Sequence, residues 1–194
     1  MSSSGQPSAD WLGRAELRLP VGLVLSFQRY ALPESGVIET APASLGALPV
    51  GLSRDHELLL PLAPRECFWI GLSADAAQPL ELAVAVERDD GLIDVMTGEA
   101  WNASAAVRAR VPGTPVIDGI RRADGAFDPL LRDDGAEQKP RGRRLQLWVG
   151  KLAERAATPV LVEFVDYATF SARTGLPTPD PLDPDAGYKG WLLP

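Results

Sequence analysis

Residues 80–87, LELAVAVE, alternate strictly. Leu80, Leu82, Val84 and Val86 fall on one side of an extended chain, and Glu81, Ala83, Ala85 and Glu87 fall on the other. A helix would scatter these side chains around its axis. A pleated strand sorts them into an apolar and a more polar face, so the pattern demands a strand with one face buried. The following RDDG can turn the chain into LIDVMTG, which predicts a hairpin over 80–97 with a four-residue loop. A lone hairpin is marginal in water, so it must pack on something larger.

The same period recurs elsewhere. In GLVLSFQRYAL, Leu23, Leu25 and Phe27 oppose Val24, Ser26 and Gln28, and in RLQLWVGKL, Leu145, Leu147 and Val149 oppose Arg144, Gln146 and Trp148. PVLVEFVDYATF supplies a partner for the latter, giving a second antiparallel pair, and AELRL is a further extended segment. HELLLPL and ECFWIGL flank APR, as two short strands or as one strand bent at Pro61 and Pro64. Residues 37–52 are broken by Pro and Gly and predict irregular chain with at most a short strand at the start. EAWNASAAVRARV is the best helix candidate, although a strand over AAVRARV fits as well. Residues 112–143 predict long loops with a short strand near Val116–Ile120. Prolines and glycines, 18 of each, cut the chain into short apolar pieces throughout.

This pattern predicts an all-β fold, an antiparallel β-sandwich of jelly-roll or immunoglobulin-like topology with long Pro- and Gly-rich loops. Connections of such uneven length suit two packed sheets better than a closed barrel. Residues 1–14 form a polar leader and 15–174 the sandwich. Residues 175–194 form an extended C-terminal arm, since Pro177, Pro179, Pro181 and Pro184 forbid a helix after Phe170. The arm ends in YKGWLLP, apolar enough that Trp191–Leu193 should dock on the body or on a neighbouring subunit.

Charge and residue supply limit the chemistry. A net charge of −7 repels phosphate backbones, and the basic stretch 139–144 follows an acidic one, so nucleic acid is not the expected partner. No apolar run approaches the ~20 residues that span a bilayer, so no membrane segment is expected either. A polar N-terminus without a signal-peptide pattern and a single cysteine point to the cytoplasm.

That cysteine, Cys67, and the one histidine, His56, could form a thiol–imidazole pair if two hairpin strands brought them together. Cys67 lies in CFWIG, however, where burial raises a thiol's pKa and quenches it, and His56 lies between Asp55 and Glu57, as a surface or turn residue would. One cysteine and one histidine are also too few for a zinc centre, and no cofactor is expected. Asp183 and Asp185 begin a calcium-loop pattern whose twelfth position is Pro194 instead of a bidentate acid. Asp118, Asp124 and Asp128 share one loop and could hold a cation, although Asp-Gly pairs mostly mark turns.

The tryptophans are the stronger lead. Trp69 reads as core, whereas Trp148 falls on the polar face of its strand with Arg144 and Gln146. An aromatic residue beside arginine marks a recognition surface, unless a second layer or the arm covers it. The candidate interaction residues are therefore Trp148, Arg144, Trp101, Tyr188, Trp191, Leu192 and Leu193.

Several segments together resemble a family of uncharacterised bacterial proteins. The matching residues are Phe27-Gln28-Arg29, Leu45-Gly46 with Leu48-Pro49, Pro61-Leu62 with Glu66 and Phe68-Trp69, Thr97-Gly98 with Trp101, and Pro112 with Pro115 and Asp118-Gly119. The similarity covers separate segments within residues 18–120. Cys67, Val116 and Ala100 stand where the family carries Ala, Trp and Pro. The resemblance implies a bacterial, cytosolic, all-β protein and implies no activity.

The expected function is therefore non-catalytic: protein–protein contact or self-assembly into a homo-oligomer. The alternative is a ligand-binding β module, for a carbohydrate or small molecule, with Trp148 or Trp101 as a stacking platform. An enzyme with a carboxylate site comes third.

Overall fold

The computed structural model describes residues 15–182 except 76, 78, 133–141 and 152–157. The early strands are β1 (Glu16–Arg18), β2 (Val24–Ala31), β3 (Ala47–Leu48), β4 (Gly51–Leu52), β5 (Leu58–Pro61), β6 (Glu66–Ser73), β7 (Leu80–Arg88) and β8 (Gly91–Asp94). Then come β9 (Ala109–Val111), β10 (Val116–Ile117), β11 (Ile120–Arg121), β12 (Phe127–Asp128), β13 (Leu130–Leu131), β14 (Arg144–Lys151), β15 (Val160–Val165) and one helix, α1 (Tyr167–Thr174).

The strands form two main sheets, as the alternation demands. The smaller runs β1-β2-β6-β10, with β3 on β2 and β13 on β6. The larger runs β4-β5-β15-β14-β7-β8, with β9 on β7. Their inner faces meet in one core: Leu25, Phe27, Phe68 and Ile70 come from the smaller sheet and Leu82, Val84, Leu147, Val162 and Phe164 from the larger. Phe68 makes edge-to-face contacts with Phe27 at 5.8 Å and, across the core, with Phe164 at 5.4 Å. The fold is an all-β sandwich. It is not wholly antiparallel, because β15 pairs with β5 in parallel, Val162 opposite Leu58 and Phe164 opposite Leu60.

Several expectations need correcting. HELLLPL and ECFWIGL are separate strands in opposite sheets: β5 belongs to the larger and β6 to the smaller, with Ala63-Pro64-Arg65 carrying the chain between them. His56 and Cys67 are therefore not hairpin partners. His56 is an exposed turn residue at φ 62°, while Cys67 is fully buried. The 80–97 hairpin is tighter than expected, because Arg88 pairs with Gly91 and leaves only Asp89-Asp90 as the turn. The helix candidate at 99–111 forms turns and then β9, since its Ala-rich face offers too little area to bury as a helix. In 37–52 the strands come at the end, as β3 and β4, and Ile38 makes only a bridge to Phe127.

The helix itself was not foreseen. PVLVEFVDYATF ends as a strand at Val165, and Asp166 then caps α1, its carboxylate accepting from Thr169 N at 2.8 Å and Thr169 Oγ1 at 2.9 Å. Asp is a strong cap because its side chain satisfies a backbone N–H that the first turn leaves unpaired. The helix buries Phe170 against Leu59 and Val165 on the outer face of the larger sheet. Gly51 permits this approach, since a Cβ there would lie 2.7 Å from Phe170 Cε2 and from Thr174 Cγ2.

Truncating Phe68 to Ala removes the ring that bridges the sheets and should cost about 3–5 kcal/mol in chemical denaturation. Leu161→Ala, at an exposed position, should stay within about 0.5 kcal/mol.

Candidate functional site

The outer face of the larger sheet carries Arg144 and Trp148, two of the residues singled out from sequence, and Trp101 packs on it. Register fixes its rows. Glu163, Arg144 and Glu87 lie side by side on β15, β14 and β7. The next row is Leu161, Gln146, Ala85 and Asp94, and Trp148 then lies opposite Ala83. Ala83 and Ala85 are fully buried although they face away from the core, so this part of the outer face is roofed.

Part of that roof is Trp101. After Asp94 the chain turns back, with Trp101 N donating to Leu92 O at 2.8 Å, and the Trp101 ring stacks on Trp148 at 4.2 Å and 14°. Asp94 ties the 95–108 loop to the sheet: its buried carboxylate accepts from Met96 N at 2.8 Å and Val107 N at 3.3 Å. Two tryptophans far apart in sequence thus meet, as half-buried partners. The reading of Trp148 as outward-facing holds, and a loop covers one of its faces.

Arg144 lies on the same face, with the Gln146 row between it and Trp148. Its Nε is 3.7 Å from a Glu87 oxygen, a charge contact too long for a hydrogen bond, and this nitrogen is buried without a hydrogen-bond partner among the described residues. Glu87 also accepts weakly from Gln146 Nε2 at 3.5 Å. On the other side Arg173 of α1 pairs with Glu163 at 3.0 Å and with Glu57. Between α1 and the 95–108 loop, Leu161 stands 42% exposed on β15. The result is an apolar strip of Leu161 and the tryptophan pair, edged by alternating charges. Tyr188, Trp191, Leu192 and Leu193 lie outside the described residues, as do Asp183 and Asp185.

A second cluster was missed. Glu66 is 1% exposed and occupies the inward phase of β6, with Phe68 and Ile70. Arg29 holds the same phase of β2, after Leu25 and Phe27. At this rim Tyr167 donates its hydroxyl to both Glu66 oxygens, at 2.9 and 3.1 Å, while Arg29 Nη1 lies 3.3 Å from Glu66 and Ala63 N donates to it at 2.8 Å. Burial, and then the Glu66 charge, push the Tyr167 hydroxyl well above the usual tyrosine range. The cluster joins β2 and β6 of one sheet to the helix that follows β15 of the other. The sequence signal was present: a charged residue in the apolar phase of each strand.

Cys67 is buried as expected, but not between the sheets. It lies on the outer face of the smaller sheet opposite Tyr30, in a satellite core with Ile38 and Leu131. Trp69 flanks this cluster half-buried, its Nε1 donating to Pro42 O at 3.0 Å, and so is not part of the central core. Burial, then Cys67 and Asp118, raise the Tyr30 hydroxyl's pKa strongly, and that hydroxyl has no hydrogen-bond partner among the described residues.

The loop acids each make contacts within the fold. Asp118 accepts from Ala41 N at 2.5 Å, Asp124 from Ala126 N at 3.1 Å, and Asp128 pairs with Arg122 at 2.9 Å. Among the described residues no group of three or more His, Cys, Asp or Glu is placed to hold a metal. Nor is any helix among them long and apolar enough to cross a membrane. Comparisons with known protein families, curated proteins and solved structures give no match.

Two measurements check these clusters. A double-mutant cycle on Trp101→Ala and Trp148→Ala should return a coupling of about 0.5–1.5 kcal/mol, from the stacked rings. In alkaline titration followed by tyrosinate absorbance, Tyr30 and Tyr167 should stay protonated past the free-tyrosine value of about 10. A pKa raised by folding contributes stability that is complete below the unfolded value and is lost as pH rises toward the folded one. Denaturation midpoints should therefore fall above about pH 10, and Tyr167→Phe should flatten that decline.

Proposed function

We propose that this protein is a non-catalytic interaction module that binds protein, first of all a second copy of itself, through the outer face of its larger sheet. The observation that carries the reading is the stacked Trp101–Trp148 pair, half-buried beside exposed Leu161 and edged by Arg144, Glu163 and Glu87. Such a surface suits protein contact. Its aromatic centre is held by stacking, so little side-chain entropy is lost on binding, and an arginine stands at its edge. The resemblance to bacterial proteins supports a bacterial, cytoplasmic setting. The carboxylate reading has less support: Glu66 is engaged by Tyr167, Arg29 and Ala63 N, which suits it to locking the rim.

A second reading draws on Gln146 and Glu87, hydrogen-bonded on the same outer face as Trp148. Polar groups around an indole are the means by which a sheet surface takes a sugar ring, so a carbohydrate-binding module is the alternative.

Light scattering on the full chain tests the first reading, which expects a mass above the 20.8 kDa of one chain. Leu161→Lys changes an exposed side chain at little cost in stability and should return the mass to that of a monomer. A wild-type monomer at all concentrations would overturn self-association. A saturable tryptophan fluorescence change in a glycan titration would then favour the sugar reading.

A further inference from the structure

After α1 the chain does not leave the body at once. Residues 176–182, LPTPDPL, run without helix or strand. Leu176 packs against the Leu59, Val165 and Phe170 cluster. Four residues on, the Asp180 carbonyl accepts a 2.8 Å hydrogen bond from Arg29 Nη1. The same guanidinium also engages the body: Nη1 faces Glu66 at 3.3 Å and the Tyr167 hydroxyl at 3.4 Å, and Nε reaches Leu45 O at 3.4 Å. Beyond the bond from Leu176 N to Thr174 Oγ1 at 3.1 Å, the strap is thus held on the body by an apolar anchor and a main-chain acceptor.

We infer that this rim, made of Arg29, Tyr167 and the Phe170 side of α1, is a receptor for an extended proline-containing segment, and that copies of the chain exchange this segment. Leu176–Leu182 of one molecule would then seat on Arg29 and Phe170 of another.

Three features carry this. First, recognition uses a backbone carbonyl and a single leucine, and a second chain offers both in the same geometry, so exchange conserves the contacts. Second, Pro177, Pro179 and Pro181 fix their own φ angles and lack N–H groups, so the segment is extended before it binds and loses little entropy on docking. Third, the strap joins α1 through Gly175, which closes the helix at φ 74°. Glycine can leave that conformation for a broad range of others, so this one residue can redirect the strap without disturbing α1. Exchange of an identical element across such a hinge is a low-cost route to a dimer. The inference rests on the self-association proposed above and adds a surface separate from the tryptophan face.

The test combines mass and peptide capture on the full-length chain. The labelled probe is a peptide with the sequence GLPTPDPL, read by fluorescence anisotropy. Wild type should show a mass that rises toward twice 20.8 kDa with concentration. Leu176→Asp, with its circular dichroism unchanged, should lower that mass. It should also bind the peptide about tenfold more tightly than wild type, because its own strap no longer competes. Pro179→Gly, which loosens the strap while keeping Leu176 and the Asp180 carbonyl, should weaken the dimer several-fold and serves if Leu176→Asp fails to fold.

Equal peptide binding by wild type and Leu176→Asp, or none by either, overturns the receptor. A wild-type monomer whose Leu176→Asp variant still captures peptide overturns the exchange. A dimer lost in Leu161→Lys but unchanged in Leu176→Asp and Pro179→Gly keeps the tryptophan face as the contact and overturns the exchange as well.

Discussion

The pairing of β7 with β14 is the constraint on which the rest depends. It runs without interruption from Arg144 opposite Glu87 to Lys151 opposite Leu80. Because side chains alternate strictly, this single register sends Leu82, Val84, Leu145 and Leu147 into the core and Ala83, Ala85, Gln146 and Trp148 to the outside. A slip of one residue would bury Gln146 and Trp148 and expose the leucines. Core and candidate surface are therefore two sides of one decision, and neither can be altered without the other.

The two faces are finished by different means. Inside, the sheets meet through branched aliphatic side chains and the Phe27–Phe68–Phe164 contacts, with apolar burial as the driving force. At the rim, where the interior meets loops, the sequence switches to Glu66 and Arg29. Burying a carboxylate is costly unless its lone pairs are filled, and Tyr167, Arg29 and Ala63 N fill them. Outside, α1 and the 95–108 loop each roof part of the larger sheet. The strip between them, with Leu161 and the Trp101–Trp148 pair, is the surface on which the proposed partner contact rests.

How much of this could be read in the sequence follows the range of each interaction. Strands with clear alternation, at β2, β7 and β14, were legible because period two is a local signal. So was the outward phase of Trp148. The crossing between sheets at Ala63-Pro64-Arg65 was not, since two apolar segments flanking a proline look alike whether they pair or part. The parallel β5–β15 pair escaped for the same reason: VLVEFV is apolar at nearly every position and shows no phase. The helix α1 was hidden by a strand continuing straight into it, although Asp166 is a residue type that favours the N-cap position it occupies. The stacking of Trp101 on Trp148 depends on a loop folding back, and no local pattern encodes it. The burial of Cys67 was legible but its layer was not, because burial by loops and burial by a second sheet leave the same apolar trace.

Native-state hydrogen exchange at residue resolution tests the β7–β14 register most directly. If this pair is the keel of the fold, the amides of Leu82–Val86 and Leu145–Val149 should exchange only through global unfolding, with opening free energies equal to the denaturation free energy. Exchange of these amides through low-energy local opening, while strands of the smaller sheet stay protected, would contradict the account.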